Sequence, residues 1–190
     1  MNGLDDRPGI DEIDDVEEFD EPEDVEDDGY PEDATDDEID LVAAFYREDG
    51  AANSIEFEPQ LANDLEEFIT QLRRIPGDAG ALGMISIDSS VFVLARVRGK
   101  MVQLLLNDIF AAFDWPIARD VLDYLEEDLP DEDEDTAPIG DLDILSDVGV
   151  SEFDMEALAS DYEEDSLVLL GNLAKRIGFG PQFNKLVPEA

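Results

Sequence analysis

Cysteine and histidine are both absent from the chain. The first absence excludes a disulfide framework, a thiolate metal centre and a cysteine nucleophile. The second removes the commonest general base and the commonest nitrogen ligand for a transition metal. Cations are scarce: 11 Lys and Arg stand against 53 Asp and Glu, a formal net charge of -42. Phosphate backbones are held mainly by cations, so this balance argues against direct binding of nucleic acid or an anionic membrane. Long apolar runs are missing too. The longest, such as Met101 to Leu106, fall far short of the roughly 18 residues that a membrane span requires. No apolar stretch follows Met1 to Pro8, so no signal peptide is expected and the cytoplasm is the expected compartment.

Hydrophobic residues still make up 43% of the 190 residues, enough for a core, but they are unevenly placed. Residues 1–40 hold 21 acids and one base, Arg7. That composition predicts a disordered, self-repelling tail. Ile10, Ile13, Val16 and Phe19, at spacing three, offer the alternative of a short amphipathic docking helix. From Leu41 the character changes. Leu41 to Tyr46 reads as a strand closed by Glu48-Asp49-Gly50, and Pro59 opens a helix pattern through Leu61, Leu65, Phe68, Ile69, Leu72 and Ile75 that stops at Pro76-Gly77. Three strands follow, over Leu82–Ile87, Val91–Arg98 and Met101–Leu106, as an antiparallel meander. In the middle one, Val91, Val93, Ala95 and Val97 alternate with Phe92, Leu94, Arg96 and Arg98. Pro116 opens a helix with Ile117, Val121, Tyr124 and Leu125 on one stripe.

The expected fold is therefore α+β: a small antiparallel sheet of about four strands with helices over 41–128. An acidic linker at 129–138 and a small all-helical unit at 139–190 come after it. In that last unit Ser151 and Asp165 are expected helix caps, and Lys175, Arg176 and Gly178 mark a helix end. Oligomeric state, and whether the two folded parts pack together, are not fixed by these patterns.

Motifs with chemistry are few. Counted as a calcium loop from Asp131, the acidic run puts Thr136 and Leu142 where Gly and a bidentate Glu belong, so the loop fails. Carboxylate pairs are too abundant for any one to be singled out as an acid/base couple. Gly178-Phe179-Gly180 follows a helix, so it is a cap and not a phosphate loop. No cofactor or metal site is indicated. Arg96, Arg98 and Lys100 form the basic cluster, and two readings stand: pairing with the surplus carboxylates, which is favoured, or an anion site. Trp115, before Pro116, is an anchor for a core or an interface. These four residues are the candidate partner-binding set.

Three stretches carry a resemblance. They are Val91-Phe92-Val93-Leu94-Ala95-Arg96-Val97-Arg98-Gly99 with Leu106-Asn107-Asp108, Gly140-Asp141-Leu142-Asp143-Ile144-Leu145-Ser146-Asp147-Val148-Gly149, and Arg176-Ile177-Gly178-Phe179-Gly180. In order and spacing they resemble the tRNA adenosine deaminase-associated proteins of actinobacteria, over about residues 41 to 187. The resemblance implies a partner, a tRNA adenosine deaminase, and no catalytic motif. A zinc deaminase needs His or Cys ligands around its metal, so this chain is not itself the deaminase. A tRNA-binding enzyme needs a basic surface, to which an acidic protein is complementary. The expected function is a non-catalytic accessory protein that binds a basic partner. The alternatives are a metal-dependent enzyme working with carboxylates alone, and a charge-based solubility or stress factor.

Overall fold

Strict alternation in the middle strand of the meander gives the sheet two apolar faces, and both are covered. The computed structural model describes residues 29–188. In chain order it has β1 (Ile39–Glu48), β2 (Ala51–Glu56), α1 (Leu65–Arg73), β3 (Ala81–Ile87), β4 (Val91–Arg98), β5 (Met101–Leu106), α2 (Pro116–Leu125), β6 (Ile139–Gly140), α3 (Glu152–Ala159), α4 (Ser166–Arg176) and α5 (Gly180–Leu186). The strands make one sheet in the order β2-β1-β3-β4-β5-β6, with every neighbouring pair antiparallel. The fold is α+β, with six strands where about four were expected. Of the two extra strands, β2 has Ile55 as its one large apolar residue, and β6 is two residues long.

On one face, Val42 and Ala44 of β1, Ile85 and Ile87 of β3, Val91, Val93, Ala95 and Val97 of β4, and Leu104 and Leu106 of β5 pack under α1 and α2. On the other, Leu41, Ala43, Phe45, Leu82, Met84, Phe92, Leu94 and Leu105 pack under Met155 of α3, Leu170 and Leu173 of α4 and Phe183 of α5. Residues 41–128 and the described residues from 139 on thus meet on one sheet, in one compact unit that begins at Pro31. The fold also begins before the expected tail boundary at residue 40. β1 starts at Ile39, and Ala34 is buried with its N–H and C=O both bonded to the Asn63 side chain. The expected amphipathic segment Ile10–Phe19 lies outside the described residues.

Local chemistry sets the element ends. Pro59 opens only a 3-10 turn, Pro59–Asn63, because the Asp64 carboxylate accepts from Glu67 N and starts α1 afresh at Leu65. The inward stripe of α2 is Ile117, Ala118, Val121 and Leu122, while Tyr124 is exposed. Ser151 and Asp165 cap α3 and α4 by accepting from Asp154 N and Leu167 N. Gly83 of β3 lies against α1: a Cβ there would sit 2.4 Å from Phe68 Cζ. At Gly178 (φ +92°), a Cβ would sit 2.4 Å from an Arg47 guanidinium nitrogen. That guanidinium donates to Ile177 O and Gly178 O and lies 4.8 Å over the Phe179 ring, tying β1 to the α4–α5 corner.

Candidate functional site

Arg96 lies on the sheet face covered by α3–α5 and is 5% exposed. One of its terminal nitrogens donates to Ile144 O (2.9 Å) and Asp147 Oδ1 (2.5 Å), the other to Asp147 Oδ2 (3.0 Å). A two-pronged guanidinium–carboxylate contact of this kind is strong and directional. It holds the Asp147 carboxyl below its ordinary range, chiefly through the Arg96 hydrogen bonds. Arg98, at 3.6 Å, shares the same carboxylate and donates to Gln103 Oε1. Lys100 is exposed in the β4–β5 turn. Trp115 is elsewhere. It packs, partly buried, with the α1–α2 core on the opposite face. The structure therefore groups the three cations on β4 and its turn and sets the tryptophan apart.

Trp115 borders a cleft of 560 Å³ whose other walls come from three separate parts of the chain. Glu32, Asp33 and Glu38 lie on the approach to β1, Asp88 in the β3–β4 turn, and Asp108 and Asp114 on either side of the 3-10 turn Ile109–Phe113. Two of these carboxylates also hold the local backbone in shape. Asp108 accepts from Phe110 N and the Thr136 hydroxyl, and Glu38 from Thr35 N and its hydroxyl. The β3–β4 turn puts Asp88 and Ser89 in the left-handed region (φ 55° and 54°), a conformation costly for residues with a Cβ. It is pinned by Asp88 N donating to Glu38 O, Ser89 N to the Asp40 carboxylate, and Ser166 N to Ser89 O. Burial pushes the Asp40 carboxyl up, against the hydrogen bonds from Ser89 N and the Ser86 hydroxyl.

Among the described residues, no salt bridge reaches any of the six cleft carboxylates. No group of three or more Asp or Glu there has the arrangement of a metal site. Such a cleft concentrates cations by its field, and an indole on its wall can take a guanidinium or ammonium on its face. Sequence reading picked out Trp115 and missed the carboxylates, because nothing local separates these six from the other 47 acids. Only the fold collects them.

Residues 40–180 match the family described as Rv3753c-like tRNA adenosine deaminase-associated protein. A relative, Protein Rv3753c of Mycobacterium tuberculosis (strain ATCC 25618 / H37Rv), is 31% identical over 147 residues, covering 76% of this chain and 85% of the relative. No solved structure matches. No helix among the described residues is long and apolar enough to cross a membrane.

Proposed function

Since this chain belongs to the Rv3753c-like tRNA adenosine deaminase-associated family, we propose that it is a non-catalytic accessory protein that binds a tRNA adenosine deaminase through that enzyme's basic surface. The observation that carries this reading is the cleft at Trp115, where six carboxylates with no salt-bridge partner among the described residues surround an aromatic wall. A basic side chain entering it exchanges water for several carboxylates at once, and complementary fields speed encounter and select partners. The chain's -42 charge extends the same attraction over the surface. In this reading Trp115 is a contact residue, while Arg96 and Arg98 hold the fold and Lys100 remains available at its turn. The protein works in the cytoplasm, beside its enzyme, and contacts the RNA only through it.

Purified chain and the tRNA adenosine deaminase of the same organism test this by affinity capture at low and moderate salt. Capture at low salt that weakens on adding salt is expected, as is a loss of about tenfold in affinity for the double variant Asp88→Lys, Asp114→Lys. Trp115→Ala is expected to weaken binding with less effect on the salt dependence. No capture at any ionic strength overturns the reading.

A further inference from the structure

We infer that the outer edge of β2 is a docking rail for an extended, basic segment of the partner, added to the sheet as a seventh, antiparallel or parallel strand. The inference rests on the reading of a basic protein partner and says where its backbone is held. β2 is a terminal strand of the sheet, paired only with β1 among the described residues. The β1–β2 hairpin closes through Asp49 and Gly50, with positive φ at both and Glu48 opposite Ala51. That two-residue turn makes Glu48 and Ala51 a hydrogen-bonded pair, and the pairs alternate from there. Ala52, Ser54 and Glu56 then turn their N–H and C=O away from β1. Two contacts confirm the phase: Phe57 N donates to Val42 O, two residues beyond the Ala44–Ile55 pair on each strand and so in the same inward-bonded set, and Ala52 O accepts from Gln182 Nε2.

Gln182 covers only the Ala52 end. The Ser54 and Glu56 backbone groups are left open, with no partner for them among the described residues. An edge of this kind is a template for another strand unless it is blocked, and the usual blocks are lysine, proline or a bulge. Ala51–Glu56 contains no lysine or proline, and its register with β1 is unbroken. Charge decides the occupant. Glu48, Asp49, Glu56 and Glu58 line the strand's two ends, and Arg47, next to it on β1, is engaged with the α4–α5 corner. A second copy would bring the same acids and the same -42 charge against them. An extended segment with Lys or Arg at alternate positions instead places its cations beside these carboxylates while its backbone pairs with Ser54 and Glu56.

Proline at position 54 separates this from charge attraction alone. Because the Ser54 N–H points outward, Ser54→Pro removes a docking donor and leaves the β1 ladder whole. The full chain and this variant are titrated with the deaminase and with an alternating Lys-Val octapeptide, and amide hydrogen exchange is followed on the wild type in parallel. Expected are protection of the Ser54 and Glu56 amides on adding either probe, and about tenfold weaker binding by the variant. The exchange measurement stands even if the variant folds poorly. Binding undiminished by Ser54→Pro with both amides unprotected overturns the rail and leaves the basic-partner reading intact. If the wild type binds neither probe at low salt, both fall. A concentration-dependent dimer abolished by Ser54→Pro overturns the inference in favour of pairing between copies.

Discussion

An arginine at 5% exposure in the middle strand of a sheet is tolerated because both terminal nitrogens of its head group are answered. Asp147 takes both prongs and Ile144 O takes a third N–H. Removing the carboxylate therefore costs more than a surface pair would, though less than for a fully buried one, since the Asp147 side chain is 47% exposed. Asp147→Asn is expected to lower stability at neutral pH by ~1–3 kcal/mol in urea unfolding. The sign with pH follows from the lowered carboxyl. The stabilisation is complete above the unfolded value near 3.8 and is lost as pH falls through the lower folded value. The gap between variant and wild type should close in that acid window; a gap unchanged down to pH 2 would refute the pairing. Tyr162 behaves oppositely. Its hydroxyl donates to Asn107 O at 2.8 Å, and burial, with Asp108 nearby, pushes the phenol up to about 12. Its contribution is whole below pH 10 and is lost between about 10 and 12. Absorbance at 295 nm should show a late-titrating phenol in the wild type that Tyr162→Phe removes. The alternation of Arg96 and Arg98 with the valines was legible in the sequence, but Asp147, some fifty residues on, was not. Long-range pairing leaves no local mark, and any of 53 acids could have served.

At the level of elements, what was legible tracks how much each one buries. β3 and β4 are buried along nearly their whole length and announce themselves by mostly apolar runs, interrupted in β3 at Gly83 and Ser86 and in β4 at Arg96 and Arg98. β2 is polar because one of its edges is open, and β6 is too short to have a pattern at all. The α1 start was misplaced because Pro59 gives a stronger local signal than Asp64, although only Asp64 makes the capping bond. Gly83 was an unremarked strand residue, yet it sets how closely α1 lies on the sheet. Gly83→Ala drives a methyl into the Phe68 ring and is expected to cost ~1–3 kcal/mol by overpacking. Adding Phe68→Leu should recover part of that loss, measurable as a coupling in a double-mutant cycle. Additive losses would show that the ring moves aside freely.

For the whole molecule, the cleft depends on segments far apart in sequence, so no stretch read alone could have revealed it. The division into 41–128, an acidic linker and 139–190 is a proposal about cleavage as well as composition. Limited proteolysis is expected to release the acidic N-terminal tail first and to cut among residues 131–136 second. The two fragments should stay together through a sizing column, because α3–α5 share a core with β1, β3 and β4. Fragments that separate without denaturant would show that the shared core is weak. The acidic N-terminal segment makes a second test. Residues 1–30 carry 15 acids and one base, and removing them relieves like-charge repulsion. A chain beginning at Pro31 is expected to melt at an unchanged or slightly higher temperature at low salt. One beginning at Asp40 should melt lower, having lost the Ala34–Asn63 contacts and the Asp88 N bond to Glu38 O. Equal melting of the two would move the start of the fold to residue 40.

Covering a central sheet from both sides has a further consequence during synthesis. Strands β1 to β5 are complete by Leu106, but the helices that cover Leu41, Phe45, Leu82, Met84 and Leu94 end only at Leu186. A ribosome adding roughly 5–20 residues per second leaves that greasy surface bare for several seconds. Nascent chains stalled before about residue 150 should thus recruit a chaperone such as trigger factor, and chains stalled with α4 fully emerged should release it.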